Sequence, residues 1–337
     1  MDAVRNRIIT VTQDEMTDMI LSRRHLLAGA SATTAAQLVS SALPAAAKAP
    51  PLKSQAPAFY RFNIGGIEAT VVSDGVIVAV TKATFVGPEA ANVEKMMTDL
   101  FLPADKFVMD QNALIINTGD KLALFETGMA SVKRTDDMGL LVGNLKAAGI
   151  DPKDIDYLIP SHAHIDHIGG ILAADGTRNF PNAQIFISQA DLEYWTNEGL
   201  AGTLAEGSMR AARKNLLPNR DRILFYSDGK EVIPGVVAMH TPGHTVGHTC
   251  FVINSGSETL YFAGDLAHHN VIIENPRMED IYDTDRQLGI QTRLKTMDML
   301  AAQRMRTLVY HLPGPGLGHF VKRDDGFHFE PEPLKFV

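Results

Sequence analysis

Seven consecutive residues, Ser161-His162-Ala163-His164-Ile165-Asp166-His167, constrain this chain more than any other feature. Three imidazoles and a carboxylate crowd together just after the apolar run Tyr157-Leu158-Ile159-Pro160. Neutral imidazole and carboxylate suit zinc and its first-row neighbours, whereas calcium and magnesium prefer oxygen shells. His162 and His164 are two apart, so on an extended backbone both point the same way. Asp166 and His167 fall where the chain must turn, because Gly169-Gly170 follow. The turn can aim them at a second point, and two metals about 3.5–4 Å apart make a hydrolytic centre. A strand ending in such a cluster reads as a metal site at the edge of a sheet.

The rest of the chain offers further donors in the same setting. Thr241-Pro242-Gly243-His244-Thr245 places a histidine in a Pro-Gly turn after Val236-Val237-Ala238-Met239. Leu260-Tyr261-Phe262-Ala263-Gly264-Asp265 reads as a buried strand ending in a carboxylate, and Leu308-Val309-Tyr310-His311 as one ending in an imidazole. Each donor sits just past an apolar run, so all can share one sheet edge.

The order His-x-His-x-Asp-His, Pro-Gly-His, Gly-Asp and a late His resembles the metallo-β-lactamase-fold superfamily, over roughly residues 56–337. Two segments, Ala56–Arg61 followed by Val72-Ser73-Asp74-Gly75, and His311–His319, are similar to the methyl parathion hydrolase-like group, which includes lactone and aryl-ester hydrolases. The resemblance implies an α/β fold, an αββα sandwich of two mixed sheets with helices outside and metals at one edge. It implies that His162, His164 and His244 hold a first ion, that Asp166, His167 and His311 hold a second, and that Asp265 bridges them. A hydroxide bridging the two ions would be the nucleophile. The implied cofactors are two divalent transition-metal ions, zinc first, with manganese, cobalt or iron as alternatives. Relatives in this group are often dimers, so a homodimer is an expectation to test.

Other residues are read around this set. Glu126-Thr127-Gly128 stands where the family usually carries Asp-Thr-Gly, and the longer carboxylate is expected to support the site without binding metal. His268 lies three residues past Asp265, where lactone hydrolases of the superfamily carry a Tyr that touches the substrate carbonyl. A His there could donate to a developing oxyanion. Trp195 matches a pocket tryptophan of the resembled group, although buried tryptophans are usually core. The loop 199–209 contains no Phe, which weakens a phosphotriesterase reading. His248 and His240 read as supporting or core residues, and His319 as part of a Gly-rich loop.

The function that follows is metal-dependent hydrolysis of a lactone or ester carbonyl, with Asp166 or Asp265 taking the proton and side activity on phosphotriesters. A β-lactamase or an organophosphate hydrolase of the methyl parathion type is the alternative, and an inactive metal-binding protein comes last. Dedicated β-lactamases lack a bridging carboxylate such as Asp265, and the complete donor set argues against inactivity. No Gly-x-Ser-x-Gly elbow is present. A formal charge of −8, with no basic run in the mature part, disfavours nucleic acid as a partner and leaves a small molecule. The lone Cys250 excludes an intramolecular disulfide and reads as a buried apolar residue, with a reactive thiol as the sharper alternative.

Ser22-Arg23-Arg24-His25-Leu26-Leu27 resembles a twin-arginine export signal. The stretch after it, to Leu43, lacks the continuous apolar character of a membrane span. Ala45-Ala46-Ala47 offers a cleavage site. The expected organisation is a signal over 1–47, a linker and arm over 48–60, and a hydrolase domain over 61–337, periplasmic after export and with no stable membrane association. Within the domain, the expected elements include a hairpin over 68–80 turning at Asp74-Gly75 and another across Thr118–Lys121. Helices are expected at Leu140–Ala148, Ala190–Glu198, 204–216 and Gln287–Gln303, and a final strand at Thr307–Tyr310.

Overall fold

The computed structural model describes Ala56 and residues 58–335, apart from 133, 134 and 204. The expected signal over 1–47 lies outside the described residues, as does most of the 48–60 arm. The arm is shorter than expected, because a strand already begins at Phe59.

Two seven-stranded mixed sheets face each other. In the first, Phe59–Ile64, Ile67–Val80, Lys106–Asn117 and Leu122–Phe125 run antiparallel. Tyr157–Leu158, Gln184–Ile187 and Ile223–Phe225 then continue in parallel. In the second, Gly326–Pro331, Leu317–Arg323 and Arg306–Leu308 lead to Glu258–Phe262, Thr249–Ser255, Val236–His240 and Glu231–Ile233. There the pairing of Glu258–Phe262 with Arg306–Leu308 is parallel. Between the sheets, Phe125 of the first meets Phe251 and Phe262 of the second, with ring centroids 5.4 and 5.3 Å apart. All three rings are fully buried, and losing one such ring costs about 3–5 kcal/mol. Helices cover the outer faces. Leu141–Ala147 and Glu206–Leu216 pack on the first sheet, and Val93–Asp99 and Arg286–Ala302 on the second. This is the αββα sandwich.

Three expectations change. Asp74-Gly75 does not turn a hairpin: Ile67–Val80 is one long strand with a bulge between Ser73 and Val76. The Asp74 side chain accepts N–H bonds from Met129, Gly139 and Leu141, which fixes the bulge against the neighbouring loop. The strand at Arg306–Leu308 is not the last, because Leu317–Arg323 and Gly326–Pro331 form a hairpin beyond it. The Gly- and Pro-rich run 313–318 masked the first of these strands. His319 consequently lies in a strand opposite Arg306, and the loop ends before it.

Candidate metal centre

Every expected donor emerges from the same edge of the sandwich, where strands end and short loops begin. The first sheet supplies His162 to His167, just after Tyr157–Leu158. The chain turns there through a single helical turn, Ile165–Ile168, whose first residues carry Asp166 and His167. Gly170 lets this turn press on the neighbouring loop, since a Cβ there would lie 1.7 Å from the Thr127 carbonyl oxygen. The second sheet supplies His244, Asp265 and His311, each past the end of a strand. Gly264, at φ +50°, makes the bend that aims Asp265, and a side chain there would strike Ser161.

The donors meet on two sides of Asp265. On one side, His244 Nε2 lies 3.1 Å from His162 Nε2 and 3.0 Å from His164 Nδ1. On the other, His167 Nε2 lies 3.5 Å from Asp166 Oδ2, and His311 Nε2 lies 3.3 Å from the same oxygen. Asp265 Oδ2 faces both groups, 3.4 Å from His244 Nε2 and 3.2 Å from both His167 Nε2 and His311 Nε2. Its other oxygen, Oδ1, is buried without a hydrogen-bond partner. Three ring nitrogens converging on one another, beside an orphaned carboxylate oxygen, are what a cation would complete. The donor set fits two divalent metal ions, and the geometry groups it as His162, His164, His244 and as Asp166, His167, His311, with Asp265 between.

Supporting groups fix most of the rings through the nitrogen that faces away from the cluster. Ser161 Oγ is 2.9 Å from His162 Nδ1. Asp283 Oδ1 is 3.0 Å from His244 Nδ1. Glu126 Oε2 is 3.0 Å from His167 Nδ1. The Asp110 carbonyl is 2.8 Å from His311 Nδ1. Such partners set the tautomer and aim of a ligating histidine. Glu126 also accepts the Ser161 N–H, so the longer carboxylate supports the site without joining it. Asp191 accepts N–H bonds from Ala163 and Gly247, both at 2.7 Å, and so ties the two histidine-bearing loops together. His248 Nε2 accepts the Asp265 N–H at 3.0 Å, as its supporting reading implied. His240 shares a face with the buried Val236 and Ala238, but it is exposed because its strand ends there, and it plays no such part.

The electrostatics differ across Asp265. Burial, then the neighbouring rings, holds His162 and His244 well below the ordinary imidazole range, and burial takes His164 down to about 4. Burial also opposes charge on His167 and His311. The carboxylates of Asp265, Glu126 and Asp166 nevertheless lift His167 well above its usual value, and Asp265 and Asp166 lift His311 to about 9. Burial would raise Asp265, yet the His167 and His311 charges hold it well below the carboxylate range.

His268 is buried beside the centre, its Nε2 3.1 Å from Asp265 Oδ2 and its Nδ1 3.0 Å from Asp280 Oδ2. Trp195 is 4% exposed and stands edge-on to His164 at 4.7 Å, so it backs a donor ring more than it lines open space. His164 is the donor left partly open to solvent. Asp191, Asp280, Asp283 and the Asp110 carbonyl escaped the sequence reading. The close pair Asp280 and Asp283 was the one visible hint.

Residues 107–304 match the Metallo-beta-lactamase superfamily, a span that contains every donor except His311. An N-acyl homoserine lactonase from Bacillus sp. is 29% identical over 209 residues, covering 62% of this chain and 72% of the relative. The solved structure of AidC, a dizinc quorum-quenching lactonase with a product bound, is 28% identical with a TM-score of 0.75, over 83% of this chain and 99% of that one. The hydrolase AbOPH, in the beta lactamase superfamily, is 28% identical with a TM-score of 0.77, over 84% of this chain and 100% of that one. With its sandwich, its donors at one sheet edge and this match, the chain belongs to the metallo-beta-lactamase superfamily.

Proposed function

We propose that the protein is a binuclear metal-dependent hydrolase that opens lactones, N-acyl homoserine lactones first among them, using two zinc ions. The observation that carries this reading is the seven-donor arrangement about Asp265, in a chain similar to lactonases along most of its length. His162, His164 and His244 would hold one ion, Asp166, His167 and His311 the other, and Asp265 both. When bound, such ions polarise a carbonyl oxygen and lower the pKa of a bound water from about 15.7 to about 7.

The remaining chemistry falls to the chain. Ring opening consumes one water: its oxygen joins the carbonyl carbon, the C–O bond of the ring breaks, and a proton goes to the departing ring oxygen. Asp166 or Asp265 stands where it can accept that proton and return it. His268, with Nδ1 tied to Asp280 and Nε2 3.1 Å from Asp265 Oδ2, lies beside the same centre, and by turning Nε2 from that carboxylate it can donate to the oxyanion as it forms. Trp195 steadies His164, the donor left partly open to solvent.

A panel of lactones, aryl esters, phosphotriesters and β-lactams tests the reading. Lactones should give the highest kcat/KM, with phosphotriesters a side activity. A β-lactam or phosphotriester at the top would replace it. Metal analysis should find about two ions per chain. The pattern around Arg23-Arg24 supports export by the twin-arginine route, which amino-terminal sequencing of secreted protein would check at residue 48. Among the described residues no helix is long and apolar enough to cross a membrane. Sedimentation in solution tests the homodimer.

A further inference from the structure

Arg293 lies in the helix Arg286–Ala302 and is 2% exposed. A guanidinium is costly there unless its donors are used. Nε donates to the Leu266 carbonyl at 3.1 Å, and Nη1 to those of Pro276 and Met278 at 3.2 and 3.1 Å. Nη2 donates to Asp283 Oδ2 at 3.0 Å. All four acceptors lie on the segment that leaves Asp265 and runs to the start of this helix.

That segment carries the two carboxylates that meet His244 and His268. Asp283 gives Oδ2 to Arg293 and Oδ1 to His244 Nδ1, so the guanidinium decides which oxygen the imidazole receives. Asp280 gives Oδ2 to His268 Nδ1, and its Oδ1 accepts the N–H groups of Tyr282 and Asp283. The far end is closed by the Thr284 N–H on the His244 carbonyl, at 2.9 Å. Arg293 therefore grips the segment at several points and leaves both carboxylates facing the centre.

We propose that Arg293 is a positioning residue for one half of the metal centre: it locks the segment from Leu266 to Asp283, so that Asp283 and Asp280 aim His244 and His268 at Asp265. The proposal rests on the binuclear reading above. The planar fork is essential, because it reaches separate carbonyls and a carboxylate at once. A lysine ammonium is a single point charge and cannot hold that spread.

Cobalt(II) titration of the full chain, followed by visible absorption and by calorimetry, reads the two ions apart from turnover. Arg293→Lys should weaken one of the two ions by about 10–100-fold, the range for losing the partner of a ligating histidine. It should alter that ion's absorption band and leave the other ion unchanged. Asp283→Asn keeps the three carbonyl bonds of Arg293 and should give the same selective loss, so it decides the matter should Arg293→Lys not fold. Equal weakening of both ions, or no change in either, would mean that Arg293 only anchors the helix and would overturn the proposal. A wild-type chain that takes up fewer than two ions would overturn the binuclear reading and this proposal with it.

Discussion

On one side of Asp265, His162 and His164 each bring a ring nitrogen within 3.0–3.1 Å of His244 Nε2. On the other, His167 and His311 sit among the carboxylates of Asp166, Asp265 and Glu126. Both halves take residues from both sheets, so neither can form until the sheets dock. They differ in their braces. His244 is held from the second sheet's outer helix, through Asp283 and Arg293. His167 is held from the first sheet through Glu126, and the Asp166 carbonyl accepts the Tyr310 hydroxyl at 2.8 Å. A centre built this way should lose one half at a time when a brace is removed, and both halves when the shared carboxylate is removed.

The largest effect should therefore come from Asp265→Ala. We expect metal content to fall from about two ions per chain to one or none, with lactone turnover lost. Elemental analysis checks this, and two retained ions would mean that Asp265 does not join the halves. Next comes His268→Ala. Losing a donor to a developing oxyanion costs about a hundredfold to a thousandfold in kcat, while metal content should not move. Unchanged turnover on the best lactone would remove His268 from the chemistry. A smaller effect belongs to Glu126→Gln. It should weaken binding in the Asp166, His167 and His311 half by about 10–100-fold and spare the other half, the mirror image of Asp283→Asn. Glu126→Asp should behave in the same direction, because the shorter side chain withdraws from both His167 and the Ser161 N–H. If Glu126→Gln disturbed both ions alike, the separate bracing of the halves would be disproved.

The donors themselves were legible in the sequence because their chemistry is local. His162 to His167 announce themselves by spacing, and His244, Asp265 and His311 by the apolar runs before them. The sandwich could be read from the same runs together with the family resemblance. The braces could not. Asp191 reaches Gly247 across 56 positions, and Asp283 reaches His244 across 39. A single carboxylate has no periodicity, so only tertiary packing shows what it holds. The bulge at Asp74 misled for a related reason: Asp-Gly marks a turn as readily as a bulge, and the three N–H groups that decide it come from residues 129–141.

The smallest expected effect concerns Cys250, which lies behind the His244 half. Its Sγ is 3.2 Å from both Thr241 Oγ1 and the Ala263 carbonyl, each just past the end of a strand that leads to His244 or Asp265. The residue is fully buried, and burial pushes the thiol up to about 11, so the nucleophilic thiolate is scarce at neutral pH. An alkylating reagent should therefore leave the native protein unmodified and its turnover unchanged, yet label one thiol once the chain is unfolded. Rapid labelling of the native protein would show that the strands behind this half open readily. The half braced through Asp283 and Arg293 would then be the looser of the two, and loss of either brace there should cost more metal affinity than loss of Glu126 on the other side.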